Sequence, residues 1–300
     1  MTPREEGSFV GWWHPERTRE TRRRQRRAIP LAGIVVLALA LSGCSTDNQW
    51  ARFGMPEIKS EQGEHILSLW QGAWIALLLT GLVTWALIIG VPIWFRRRSD
   101  DEVPVQTRYN LPIEIFYTIF PVIMVVVFFS HTVRVQNIVL EHVPNPDVHV
   151  KVVGQKWQWT FNYPESEAAE GKNLFVAGTG EDIPELVIPV HQTTEFELYS
   201  PDVIHNFGIP AFAMRMDVVP GNENSYQVTP TETGTYDGAC YELCGAYHSR
   251  MLFTVKVVTE SEYDDYLAEL AADPAHVSDE PVDGGVYSEN LIRNDEGEHE

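Results

Sequence analysis

Cysteine is scarce in this chain, with Cys44, Cys240 and Cys244 the only three in 300 residues, too few for a disulfide scaffold. No C-x-x-C-H motif occurs, which excludes a covalently attached c-type haem. Cations are also few. Against 42 Asp and Glu stand 22 Lys and Arg, a formal charge of −20, and this excludes a nucleic-acid binder, which needs a cationic surface to neutralise phosphates. A basic partner suits that balance. Long apolar runs are limited to two, which excludes a many-helix transporter, while a 44% hydrophobic composition still supplies one ordinary core.

What charge there is falls in blocks. Residues 1–43 hold eight arginines and four carboxylates, so the remainder carries −24. The cluster Arg22-Arg23-Arg24-Gln25-Arg26-Arg27 precedes an apolar run, Ile29 to Leu41, too short to span a bilayer but suited to the core of a signal peptide. That run ends in Leu41-Ser42-Gly43-Cys44, which resembles a bacterial lipobox: cleavage before an acylated Cys44 is expected, and an ordinary membrane-proximal cysteine is the alternative. The map this predicts is a lipoprotein-type signal peptide over 1–43 and an extracytoplasmic linker over 44–64.

Two membrane helices follow. Residues 66–95 carry no charge, and the first span is predicted over 65–95, with Trp70, Trp74, Trp94 and Phe95 toward its ends, where amphipathic rings favour the headgroup zone. The second is predicted over 111–132, with one carboxylate, Glu114. Arg96, Arg97, Arg98 and Arg108 between them place the 96–110 loop in the cytoplasm, so that Cys44 and everything after about His131 lie outside. Residues 131–300 contain 30 carboxylates and eight cations, a formal −22 on the outer side.

The outer part changes pattern. VHVKVVG, KWQWTFNY, ELVIPV, TEFELY, SYQVTP and MLFTVKVV, separated by Pro, Gly and Asn turns, predict an all-β sandwich or barrel. A short helix is predicted over 261–273, with Tyr263, Tyr266, Leu267 and Leu270 on one side. Residues 274–300 are polar and acidic and read as a mobile tail.

The chemistry concentrates in Cys240-Tyr241-Glu242-Leu243-Cys244-Gly245-Ala246-Tyr247-His248-Ser249-Arg250-Met251. Thiolate, imidazole and thioether within twelve residues are soft donors that suit copper better than a hard cation. Structural zinc would not need Met251, and a blue-copper site would use only one of the two cysteines. Two thiolates could instead bridge two copper ions, each completed by an imidazole, with His205 of Asp202-Val203-Ile204-His205 as the second histidine. A Cys240–Cys244 disulfide is the alternative in an oxidising compartment.

The segments SPDVIHNFGIPAFAMRMDVVPG (200–221) and CYELCGAYHSRM (240–251) resemble subunit II of the haem–copper cytochrome c oxidases, and the resemblance runs from about Ile58 to Val258. It implies a two-helix membrane hairpin carrying an all-β, cupredoxin-like domain outside the membrane, over 133–260. It further implies a dinuclear copper A centre: Cys240 and Cys244 as bridging thiolates, His205 and His248 as terminal imidazoles, Met251 as a weak ligand, and the Glu242 carbonyl on the second copper. The Glu242 side chain would also reach a magnesium ion at the interface with subunit I, near Arg215 and Asp217. Haem is implied only in that partner, and subunits I and III and a c-type cytochrome donor, free or tethered, are the implied partners. Leu252 stands where the family often has proline.

Two more segments carry the resemblance. In Gly154-Gln155-Lys156-Trp157-Gln158-Trp159 the first tryptophan, Trp157, matches the residue that receives the electron from cytochrome c, with Lys156 where glutamine is common. The alternative is a pair of strand tryptophans packing the core. Glu114-Ile115-Phe116-Tyr117-Thr118-Ile119-Phe120-Pro121 matches the opening of the family's second helix, whose glutamate lies near the cytoplasmic mouth of a proton-uptake path. An ionisable group in a span is a functional candidate on physical grounds, with a snorkelling or packing role as the alternative. The implied setting is a bacterial cell membrane, with oxygen reduced in the partner subunit.

Overall fold

The computed structural model describes residues 49–99, 103, 106–178 and 182–284. The leader and Cys44 lie outside the described residues.

Helix α1 spans Glu61–Trp94 and α2 spans Leu111–Val139. Each reaches a mean hydropathy of 2.2 over an 18-residue window. Their apolar side chains point outward, Leu82 being 68% and Val125 67% exposed, which only a lipid surround makes favourable. The start of α1 is capped by the Ser60 hydroxyl, which accepts from the Gly63 N–H at 3.0 Å. At the start of α2 the Asn110 side chain accepts from the Ile113 N–H, and the Glu114 carboxylate accepts from the Asn110 N–H at 2.9 Å. Helix α2 continues seven residues past the predicted end at 132, where Arg134 and Gln136 are good helix formers although they end the apolar run.

Beyond α2 lies a β-sandwich. Its strands are β1 (Val148–Gln155), β2 (Gln158–Ser166), β3 (Lys172–Ala177), β4 (Glu185–Pro189), β5 (Thr194–Tyr199), β6 (His205–Ile209), β7 (Met214–Val218), β8 (Asn224–Val228), β9 (Gly234–Cys240), β10 (Leu252–Val258) and β11 (Val277–Ser278). One sheet has the order β11-β3-β2-β1-β5-β8, the other β4-β10-β9-β6-β7. Buried Trp159, Phe161, Phe196, Phe207, Tyr226 and Phe253 fill the space between them. Phe207 stacks on Phe253 at 4.6 Å, and most of the remaining rings meet edge to face. Helix α3 (Glu260–Ala272) opens with a full capping box between Thr259 and Glu262 and places buried Tyr263 and Leu270 against the sandwich.

Two segments outside the predicted helices and strands are held to the sandwich. Within the predicted 44–64 linker, the Lys59 N–H donates to the Ala211 carbonyl at 2.7 Å and the Lys59 carbonyl accepts from the Thr231 N–H at 3.0 Å. The Ser60 hydroxyl donates to the Phe212 carbonyl at 2.8 Å, and the Gln62 side chain accepts from the Thr229 N–H. Lys59 pairs with Glu57 and Glu232. The mobile tail expected from 274 is corrected over its first eleven residues. There β11 pairs with β3, and Val282 hydrogen-bonds through both its N–H and its carbonyl to the Asn162 side chain. Backbone pairing on an open sheet edge outweighs the polar composition.

Candidate metal centre

The centre is built where β6 and β9 pair. Phe207 lies opposite Cys240, which brings the first residue of β6, His205, beside the last of β9, Cys240. Residues 241–251 form a loop closed at its base by the Cys240 N–H donating to the Met251 carbonyl at 3.0 Å, and tied to β6 by the Tyr241 N–H donating to the Asn206 carbonyl at 3.1 Å. A short 3-10 turn over His248–Arg250 returns the chain to β10. The loop thus folds its donors inward instead of along a strand.

Every predicted copper ligand converges. Cys240 Sγ lies 3.9 Å from Cys244 Sγ and 3.9 Å from His205 Nδ1, and Cys244 Sγ lies 3.6 Å from His248 Nδ1 and 3.8 Å from Met251 Sδ. The Glu242 carbonyl is 3.2 Å from Cys240 Sγ. His205 and Met251 are fully enclosed, the two cysteines nearly so, and His248 is half-buried. Both cysteines are free thiols, far outside disulfide bonding distance. Donor atoms of His205, Cys240 and Cys244 lie within 4.8 Å of one another. Two sulphurs between two imidazoles, with a thioether and a carbonyl at the flanks, fit soft, sulphur-preferring copper ions.

Electrostatics favour the ligating thiolate at Cys240 and oppose it at Cys244. Burial pushes the Cys240 thiol up, but the His205 ring and the Asn206 and Glu242 backbone outweigh it and bring its pKa below the ordinary thiol value. Cys244 is pushed up by burial and by the neighbouring Cys240 charge, as two thiolates in one enclosed site demand until a cation joins them.

Asp202 emerges as a residue that sequence reasoning left without a role. Its Oδ1 accepts from His205 Nε2 at 2.9 Å and from the Val203 N–H at 2.6 Å, and its Oδ2 accepts from the Lys156 N–H at 2.8 Å. A carboxylate can only accept, so His205 keeps its proton on Nε2 and turns the lone pair of Nδ1 to the sulphurs. Burial raises the Asp202 carboxyl, and those three donors more than reverse it, to about 2. The signal was an acid three residues before the histidine.

The two tryptophans separate. Trp159 is fully buried, and its indole N–H donates to the Met251 carbonyl at 3.3 Å; Gly154 leaves room for it, since a Cβ there would lie 2.8 Å from the ring. Trp157 sits in the β1–β2 turn after a cis Lys156–Trp157 peptide, half-buried, edge-on to Tyr247 at 4.9 Å. It covers the loop at Gly245, whose φ of +130° and 3.0 Å clearance to the indole both require glycine. Glu242 lines an open cleft of about 430 Å³ with Asn206, Arg215, Met216, Asp217 and Tyr241. Asn206 donates to Asp217 at 2.7 Å, and its buried Oδ1 has no partner. Glu114 lies at the far end of the chain's membrane hairpin, closing the start of α2.

The chain is similar to several known proteins. Residues 148–258 match the family described as cytochrome C oxidase subunit II, periplasmic domain. The chain is 43% identical to a probable cytochrome c oxidase subunit 2 of Streptomyces avermitilis, over 84% of this chain and 90% of that one. It is 32% identical to the cytochrome c oxidase subunit 2 of Mycobacterium tuberculosis, with 89% of each chain covered. Among solved structures, the periplasmic domain of subunit II of cytochrome oxidase from Bradyrhizobium japonicum aligns with 28% identity and a TM-score of 0.39, covering 44% of this chain and 98% of that one. The chain therefore belongs to the cytochrome c oxidase subunit II family.

Proposed function

We propose that this chain is the subunit of a respiratory oxidase that takes electrons, one at a time, from a c-type cytochrome at a dinuclear copper A centre. It would pass them to haem in subunit I, where oxygen is reduced to water with proton translocation. The observation that carries this reading is the convergence of His205, Cys240, Cys244, His248, Met251 and the Glu242 carbonyl around one enclosed point. Copper bound there supplies one-electron redox chemistry.

The chain's own residues divide the remaining work. Cys240 and Cys244 hold their sulphurs between the two imidazoles. Asp202 orients His205, and Trp159 fixes the Met251 carbonyl through its indole N–H. The enclosed setting of His205 and Met251 excludes water, which limits solvent reorganisation when charge changes. Trp157 is the residue through which the donor delivers its electron; its partial exposure and its contact with the loop at Gly245 and Tyr247 support that role. The Glu242 side chain, with Asp217 and Asn206 Oδ1 in the same cleft, offers oxygen donors for magnesium at the contact with subunit I. Glu114 opens α2 beside the cytoplasmic loop, where it would serve proton uptake. Cys44 would carry the lipid anchor, and subunit III completes the complex.

The test is the assembled oxidase. Two coppers per chain with a purple mixed-valence absorption are expected, and Trp157→Phe is expected to slow oxidation of reduced cytochrome c while leaving that absorption intact. A single zinc, or a blue one-copper spectrum, would refute the centre. Unchanged turnover in the variant would remove the role of Trp157.

A further inference from the structure

Away from the copper loop, two histidines converge on one carboxylate. Glu195 of β5 takes His142 Nδ1 on one oxygen at 3.2 Å and His149 Nδ1 on the other at 3.3 Å. His149 lies on β1 and His142 three residues beyond the end of α2, so three separate segments supply the three side chains. His149 stands six residues before the end of β1, roughly 20 Å of strand from the turn that carries Trp157. Backbone pairing fixes where each side chain starts. His149 is the register partner of Glu195 across the parallel β1–β5 pair, and Gln227 is its partner on the other side, across β5–β8. The same Gln227 amide holds the Val143 N–H and carbonyl at 2.7 and 3.0 Å, which pins the residue next to His142.

Two imidazoles and a carboxylate are a donor set that zinc takes. Bonds of about 2.0–2.2 Å to one tetrahedral ion put neighbouring donors roughly 3.3 Å apart. Both histidines keep that separation from Glu195, longer than the about 2.7–2.9 Å of a charge-assisted hydrogen bond. As placed, the donors of all three do not fall within the 4.8 Å span that His205, Cys240 and Cys244 meet. The His149 side chain is 58% exposed, and turning about its own side-chain bonds is enough to draw its ring in, since the backbone beneath is already in register. An open cleft of about 410 Å³, lined by His149 and Asp147 among others, adjoins the group and leaves a fourth position to water.

We propose that His142, His149 and Glu195 form a surface site for a late divalent transition metal, zinc in the first instance, which clips the connector leaving α2 onto β1 and β5. Each neutral ring binds through Nδ1 and keeps its single proton on Nε2, while Glu195 supplies the one negative charge. With no sulphur donor, the site selects against the soft ions that suit the cysteine centre. Three protein ligands and one water leave the metal exchangeable, and its effect falls on the junction between membrane helix and sandwich.

The assembled, copper-loaded oxidase tests this, because added zinc then has no access to the cysteines. The unaltered chain is compared with His142→Ala, His149→Ala and Glu195→Gln. Each form is dialysed against graded zinc, and bound zinc is counted by metal analysis. The unaltered oxidase is expected to hold one more zinc per chain than any variant, the affinity of that site falling at least about 10-fold when any ligand is lost. Copper absorption and turnover, both measured without zinc, are expected to be equal in all four forms. Equal zinc counts and affinities in all four would overturn the site, and loss in one histidine variant but not the other would overturn the three-ligand clip. X-ray absorption at the zinc edge of the unaltered oxidase gives a reading that needs no variant. Nitrogen and oxygen neighbours alone are expected there, and sulphur neighbours would overturn the assignment.

Discussion

Asp202 joins two parts of the site that share no backbone. One oxygen holds the imidazole of His205, and the other holds the N–H of Lys156, one residue before Trp157. Asp202→Asn keeps the shape and an acceptor for His205 but removes the charge and turns a donor toward an N–H. Copper retention is expected to weaken by about 10–100-fold, the usual cost of losing a partner that orients a metal ligand. Competition with a copper chelator measures this, and unaltered affinity would show that the loop alone orients His205. Among the ligands, the C-x-x-x-C-x-x-x-H-x-x-M spacing made Cys240, Cys244, His248 and Met251 legible together. His205 entered only as the second histidine that two coppers would require, because its proximity to Cys240 arises from pairing of β6 with β9, which no local pattern announces.

At the scale of elements, legibility followed solvent. In β5, buried Thr194, Phe196 and Leu198 alternate with more exposed neighbours, and such period-two strands were anticipated. All five residues of β6 are buried, so no alternation marks it, and β9 interrupts its run with glycine and aspartate. The strap formed by residues 274–284 was illegible because its partners are tertiary. Asn162 and Asn173 are buried polar side chains that Val282 and Ser278 help to satisfy, and nothing in residues 274–284 alone encodes that. Asn162→Ala would leave the Val282 N–H and carbonyl without their partner, and a loss of roughly 1–3 kcal/mol in the stability of the outer domain is expected, read from denaturant unfolding. An unchanged midpoint would mean that the strap is held by β11 and the Asp283–Lys151 pair alone.

For the whole molecule, the net charge of −20 separates into a cationic leader, an arginine-rich loop between the helices and an acidic outer domain. That order predicts sidedness. A cysteine placed by Arg108→Cys is expected to react with an impermeant thiol reagent only from the cytoplasmic side, and one placed by Glu280→Cys only from outside, with labelled peptides identified by mass. The reverse pattern would invert the topology. Removing the Ser60 cap by Ser60→Ala is expected to lower stability by roughly 0.5–2 kcal/mol and to free the Phe212 carbonyl, measured by thermal unfolding and by amide exchange at Gly63.

The attachment of the sandwich to its two helices has a mechanical consequence. After α2, the Val143 N–H and carbonyl both bond the Gln227 side chain of β8, and two residues on, Thr229 meets Glu61 and Gln62 at the start of α1. The same start grips the turn at Ala211 and Phe212, which joins β6 to β7. Both legs of the membrane hairpin thus bear on one short stretch of chain, and one leg also bears on the turn that follows the strand opening with His205. His205 is therefore separated from the base of α1 by only one strand and one turn, a short, hydrogen-bonded connection rather than a free tether.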